Sequence, residues 1–183
     1  AGQMSAILRL PGAVQLPLVA PVAVGGSPAD TLADAPLTAF PEAIRRLRAT
    51  LDARAVKPKP EMAMVIMVIS AEPREGTSTV ALGLARAYGQ SGLRTLLIDC
   101  DLRLPGLHTH LGQTPAKGLI DVLTGGEAGT DIKDALIVDR VEQVSILPGS
   151  WQPHAPTDTM VAGEAFAALL TEQGTAHDVI VLD

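Results

Sequence analysis

Apolar residues fall in short blocks along this chain, and the spacing within each block predicts an element. Met64-Val-Ile-Met-Val-Ile69 is an apolar run without alternation, the pattern of a strand covered on both faces of a parallel sheet. Val80-Ala-Leu-Gly-Leu-Ala-Arg-Ala-Tyr88 continues at helical spacing. Leu96-Leu-Ile98 places three apolar residues ahead of Asp99, and Val144-Ser-Ile-Leu147 reads as a third strand. Met160 to Leu170 reads as a helix, and Asp178 to Asp183 closes the chain as a strand. Upstream, Phe40, Ile44, Leu47 and Leu51 share one face of a helix over Phe40 to Arg54, with Pro41 in its first turn. Lys57-Pro-Lys-Pro60 ends that helix. Pro105 to Gly112 reads as a loop or short helix, and Gly118 to Gly126 as a short helix and turn.

Strands and helices alternating at these lengths predict an α/β domain with a doubly wound, mainly parallel sheet and right-handed crossovers. The N-terminal stretch departs from the pattern. Prolines interrupt Leu16-Pro-Leu-Val-Ala-Pro-Val-Ala-Val24, so it reads as an edge strand or extended packing segment. The small residues of Gly25 to Pro36 read as a linker. The expected organisation is an extended segment and linker over residues 1–36, then one domain over 37–183.

Composition narrows the function classes. A chain of 183 residues can bury one core, and with 2% aromatic residues that core must be aliphatic. A net charge of −6 excludes the basic footprint of sequence-independent nucleic-acid binding. Cys100 is the sole cysteine, which excludes an internal disulfide and fits a reducing cytoplasm. Its reading is a small buried filler. No apolar run reaches the roughly 18 residues of a membrane span, and no signal peptide opens the chain, so the segment is expected to be soluble. His108 and His110, two apart, point to different faces of any helix, and no zinc-ligand spacing occurs.

The candidate chemistry lies between the first two strands. Ser70-Ala-Glu-Pro-Arg-Glu-Gly-Thr-Ser-Thr79 joins strand to helix in the order of a phosphate-binding loop. There, backbone N–H groups face phosphate oxygens, a lysine neutralises charge and a hydroxyl holds magnesium. Gly76 and Ser78 fit. Ala71 stands at the first glycine and Thr77 at the lysine, so two of four fixed positions are lost. The loop alone is equally an ordinary turn with Ser78 or Thr79 as helix cap. Asp99 and Asp101, followed by Arg103, end the second strand at the sheet edge where α/β ligands sit; an isolated Asp-x-Asp is usually a solvated turn, but one strand-helix unit after the loop the two carboxylates stand where a magnesium-phosphate site would need anionic ligands.

Leu-Ile-Asp99-Cys-Asp101-Leu-Arg103 resembles the second Walker motif of the bacterial tyrosine kinases, P-loop proteins of capsule and exopolysaccharide synthesis. Ser70 to Thr79 is similar to their Ser-x-x-Pro-Gly-Glu-Gly-Lys-Ser-Thr loop, with Arg74 for glycine and Thr77 for lysine. Gly118-Leu-Ile-Asp-Val-Leu-Thr-Gly125 and His177-Asp-Val-Ile-Val-Leu-Asp183 resemble two further family stretches, the second being the third Walker strand. Glu42, Arg45 and Arg48 match the spacing of the motif at the family's ring interface, although a solvated face with i,i+3 pairing has the same spacing. Residues 16–24 are loosely similar to the segment joining membrane helix and kinase domain in polysaccharide co-polymerases. The resemblance spans Leu37 to Asp183 and implies a P-loop NTPase fold ending ahead of its final strands. With no initial methionine, the chain reads as a fragment.

The resemblance also implies roles. Magnesium and ATP or ADP would lie on Pro73, Arg74, Glu75, Gly76, Thr77, Ser78 and Thr79. Ser78, Asp99 and Asp183 would hold the metal, and Asp101, with Asp99, would serve catalysis by assisting or accepting the acceptor proton. Since phosphoryl transfer is mostly positioning and charge stabilisation, loss of the lysine predicts weak nucleotide binding. The favoured reading is a scaffold that regulates polysaccharide polymerisation or export with weak or lost transfer. It would form a ring with itself and join a membrane-embedded co-polymerase at the cytoplasmic face of the bacterial inner membrane. An active tyrosine autokinase using Arg74 as substitute cation is the alternative. A partition-type ATPase is the second alternative, and it would want a lysine at Glu72.

Overall fold

The computed structural model describes residues 13–19, 26–55, 62–103, 105–125, 130–150 and 157–183. Its centre is a sheet of order β1-β5-β2-β4-β3, with β1 at Met64–Met67, β2 at Thr95–Ile98, β3 at Ile137–Val138, β4 at Val144–Leu147 and β5 at Val179–Leu182. All pairs are parallel except the short β3, which runs antiparallel to β4. The helices are α1 (Thr31–Asp34), α2 (Ala39–Asp52), α3 (Thr77–Gly89), α4 (Leu107–Leu111), α5 (Leu119–Thr124), α6 (Ile132–Ala135), α7 (Thr157–Val161) and α8 (Glu164–Ala176).

Residues of the central strands alternate between two apolar layers, as a strand's period of two requires. Leu97, Val179 and Val181 pack with Ile44, Leu82 and Leu84 on the α2/α3 side. Leu96, Ile98, Ile180 and Leu182 pack with Leu119, Ile120, Phe166 and Leu169 on the other. Each such side chain contributes roughly 1.5–3 kcal/mol by leaving water. The expected doubly wound sheet is present, and the fully buried β2 and β5 are its spine.

Four expectations need correction. The strand at Met64 is not covered on both faces: among the described strands it pairs only with β5, and Val65, Met67 and Ile69 are exposed while Met64, Ile66 and Val68 face the core. The helix expected over Met160 to Leu170 is two, because Gly163 takes an extended conformation and caps α8. β3 was not anticipated, being too short to leave a periodic trace. The stretch expected as a linker folds: Ser27 accepts from the Ala29 N–H while Asp30 accepts from the Ser27 N–H, a capping box on a turn that buries Ala29 and Leu32. Small polar residues there serve as caps.

Leu16 and Val19 pack against the same core. The rest of the apolar run, Ala20 to Val24, and Lys57 to Pro60 lie outside the described residues.

A candidate phosphate-binding cleft

The loop after β1 delivers the chain to the N-terminus of α3 beside the C-terminal ends of β5 and β2. Gly76 is the N-cap, at φ 91°, and no side chain caps the helix. Two other turns show the alternative: Ser27 and Asp131 each cap with their own oxygen. The first-turn N–H groups of the 13-residue α3 are left to point outward, and with the helix dipole they make an anion site. Ser78 and Thr79 lie inside the helix, so the reading in which either is its cap is wrong.

The loop is held by its own side chains. Ser70 Oγ donates to the Glu72 carbonyl at 2.9 Å, and Thr77 Oγ1 donates to Ser70 Oγ at 3.1 Å. Thr77 thus reaches back to the end of β1 and brings no charge. Glu75 Oε2 accepts from both the Ala71 and Glu72 N–H groups, at 3.1 and 3.2 Å. Arg74 has φ 67°, a left-handed conformation that costs a non-glycine residue on the order of 1 kcal/mol. Pro73 lies in the same exposed turn.

Three carboxylates gather at the adjoining strand ends, and one of them, Asp183, reaches Ser78. Asp99 follows β2 and is 1% exposed; its Oδ1 accepts from the Asp101 N–H at 3.1 Å and its Oδ2 from the Leu107 N–H at 3.2 Å. Burial, and next the Asp183 carboxylate, push its pKa up to about 7. Asp183, after β5, is also raised, by burial, and accepts a hydrogen bond from Ser78. Asp101 is exposed and accepts from the Arg103 N–H at 3.2 Å. Gly149 closes on this cluster from β4: a Cβ there would stand 2.9 Å from Pro105 Cβ and 3.2 Å from Asp99 Oδ2. Burial pushes the Cys100 thiol up to about 12, which keeps it inert.

Ser78, Asp99 and Asp183 are hard oxygen donors, and beyond burial the Asp183 carboxylate raises Asp99 while the Asp101 carboxylate raises Asp183, a concentration of negative charge that suits a small divalent cation. Among the described residues no group of three or more His, Cys, Asp or Glu is placed to hold a metal ion by itself. A magnesium ion fits such a half-shell because it keeps waters and takes phosphate oxygens.

The helix residues separate. Glu42 pairs with Arg46, and Arg45 Nη2 donates to the Pro36 carbonyl at 2.6 Å. Arg48 is turned inward, donating to the Ala87 carbonyl at 2.9 Å with its guanidinium 5.8 Å from the Tyr88 ring centroid. The Tyr88 hydroxyl donates to Asp52 at 2.9 Å, and burial raises its pKa further.

Sequence reasoning missed a second charge cluster. Arg86, 2% exposed, forms a two-bond pair with Asp139 at 3.0 and 2.9 Å and reaches Asp30 at 2.6 Å. Its one signal is a lone arginine inside the apolar run Val80 to Tyr88.

No family model matches the chain. It is 34% identical over 152 residues, 82% of its length, to the succinoglycan biosynthesis transport protein ExoP of Rhizobium meliloti. It is 30% identical over 143 residues, 78% of its length, to tyrosine-protein kinase wzc of Salmonella typhimurium. The chain spans 19% of the length of each of these relatives. Among solved structures, the chimerical protein CapA2B2 superposes with a TM-score of 0.85 at 22% identity, over 100% of this chain and 74% of that one. The septum site-determining protein MinD of Pyrococcus horikoshii, solved with Mg-ADP, gives 0.55 at 26% identity, over 67% of this chain and 49% of its own. The fold is that of the P-loop NTPases.

Proposed function

Because the chain is a homologue of the bacterial tyrosine-protein kinases of exopolysaccharide and capsule synthesis, we propose that it is a kinase-like regulatory domain that binds magnesium nucleotide weakly and transfers phosphate poorly or not at all. One observation carries this reading. The uncapped N-terminus of α3 keeps the phosphate cradle open, while Thr77, where the cradle needs its cation, is spent on Ser70.

In this reading the amides of Gly76, Thr77, Ser78 and Thr79 hold phosphate oxygens, and Pro73, Arg74 and Glu75 shape the loop above them. Ser78, Asp99 and Asp183 hold magnesium, which when bound neutralises charge between the nucleotide and the carboxylates. Asp101, exposed at the rim, accepts the proton of an incoming hydroxyl if transfer occurs. Loss of the lysine removes the main fixed charge on the transferring group, and transfer that relies on charge stabilisation then fails first. Self-association through Glu42 and Arg45, with Arg48 bracing the helix from inside, would let nucleotide occupancy report to a membrane-embedded co-polymerase. The proposed location is the cytoplasmic face of the inner membrane. Among the described residues no helix is long and apolar enough to cross a membrane. The proposed organisation keeps residues 37–183 as the kinase-like unit, with the turn at Ser27–Asp34 as its N-terminal clasp.

Calorimetry with Mg-ADP and Mg-ATP, beside a phosphate-incorporation assay, tests this. Binding in the tens of micromolar or weaker without incorporation is expected, on the order of 6 kcal/mol. Sub-micromolar binding with incorporation favours the second reading, an active autokinase in which Arg74 supplies the cation. Arg74's left-handed backbone, retained where glycine would be relaxed, is the observation for that reading. A partition-type ATPase is disfavoured by Glu72, which puts a carboxylate where that class needs a lysine.

A further inference from the structure

We infer that Glu75 is a positioning residue that shapes the nucleotide loop from within, an inference that rests on the nucleotide-binding reading above for its consequence but not for its geometry. Arg74 at φ 67° and Gly76 at φ 91° flank Glu75 and turn the chain back on itself, so that a side chain from the far limb reaches the first residues of the loop. One carboxylate oxygen then accepts two consecutive amides, Ala71 at 3.1 Å and Glu72 at 3.2 Å. A charged acceptor shared by adjacent N–H groups is the arrangement a bound anion makes in a backbone concavity. Here the chain supplies the anion itself.

Position explains the usefulness. Ala71 stands where the motif has its first glycine, and an alanine gives the backbone less freedom to make that turn. The Glu75 bridge holds amides 71 and 72, whereas the N–H groups of the α3 first turn remain open for phosphate. Bridge and cradle therefore do not compete. The Ser70–Glu72 and Thr77–Ser70 contacts close the same ring, so the loop keeps its shape with no nucleotide present. The bridge also sets a negative charge beside the cradle, which weakens phosphate binding. Glutamine in its place keeps an oxygen acceptor and removes that charge, and alanine removes both.

The test is hydrogen exchange at the Ala71 and Glu72 amides together with Mg-ADP calorimetry, on the full chain and its Glu75→Ala and Glu75→Gln variants. Without nucleotide, Glu75→Ala should speed exchange at both amides by about tenfold, the loss of a charge-assisted bond at an exposed site, while Glu75→Gln, with a neutral acceptor, should fall between the parent and Glu75→Ala. With Mg-ADP, Glu75→Ala should bind several-fold more weakly than the parent, and Glu75→Gln at least as tightly. Unchanged exchange in Glu75→Ala overturns the inference. So does a gain of affinity in Glu75→Ala equal to that in Glu75→Gln, since Glu75 would then be only a repelling charge. A parent chain that binds no Mg-ADP defeats the nucleotide reading, and the exchange measurement still decides the bridge.

Discussion

The two ends of α3 carry charge clusters built on opposite plans. Near its C-terminus Arg86 lies between Asp139 and Asp30, cation against anion, donating two hydrogen bonds to Asp139 and one to Asp30 while only 2% exposed. At its N-terminus Asp99 and Asp183 set carboxylate against carboxylate, and the position expected to bring a lysine brings Thr77. A buried charge with its partners in place fixes the fold, and removing one partner is costly. Like charges held together at a sheet edge oppose folding and are retained where a ligand relieves them. One helix is thus anchored at its tail and left waiting at its head.

The strongest way to break the contrast is at the anchor. Arg86→Met should lower stability by about 3–5 kcal/mol in urea denaturation, because Asp139 is left buried and unpaired. Adding Asp139→Leu should recover much of that loss. A small effect of Arg86→Met alone would show that the cluster is solvated and that the tail of the helix is not anchored by it.

At the head, Thr77→Lys with Arg74→Gly should sharpen the difference. Mg-ATP affinity should rise at least tenfold, about 1.4 kcal/mol, in calorimetry. A fall instead would mean that the cleft is adapted around Arg74. No change with the fold intact would mean that the cradle is closed to nucleotide.

Protons give a third measure. Burial, and next the Asp183 carboxylate, push Asp99 up to about 7 from an ordinary 3.8, so between those values the folded state holds the extra proton. Stability from this group is therefore present at low pH and is lost as pH rises from about 4 to about 7. The thermal midpoint should fall by a few degrees across that window, and Asp183→Asn should flatten the slope. Millimolar magnesium should raise the midpoint at pH 8 in the parent and less in Asp183→Asn.

On α2, Arg48→Glu should cost roughly 1–3 kcal/mol by losing its bond to the Ala87 carbonyl and its place over Tyr88. Arg45→Glu with Glu42→Arg should leave the fold intact and reduce assembly of the full-length protein in sedimentation. Unchanged mass would return both to an ordinary solvated face. The smallest effect belongs to Arg74→Gly alone, which should alter stability by about 1 kcal/mol or less, relief of the left-handed backbone being offset by the freer unfolded chain.

The strands and helices that carry dense apolar runs were legible in the sequence: β2, β4, β5, α2 and α3 lie where their spacing put them. So was the place of Asp99 and Asp101 at the sheet edge, because strand ends in such a sheet share one edge, whereas Ser78 and Asp183 were grouped with them only through the family resemblance. What was hidden depends on partners distant in sequence. Ser27 and Asp30 look like linker residues until Arg86 arrives from 56 residues away. Val65 and Met67 look buried until the sheet order leaves β1 with β5 alone among the described strands. Glu75 looks like a solvated acid because its acceptors' donors lie within a turn whose shape Arg74 conceals: a local pattern of residue types predicts glycine there, and the chain reaches the same left-handed conformation without it.

Tyr88 gives the protein an optical handle. It is the sole tyrosine in the sequence, its ring lies beneath Arg48, and its hydroxyl is committed to Asp52. Phenolate absorbance near 295 nm would stay silent on alkaline titration past pH 10 while the α2–α3 seam holds, and would appear in one step when that seam opens. Ultraviolet absorbance alone would then time the parting of the two helices, with no label added and no other tyrosine to confuse the signal.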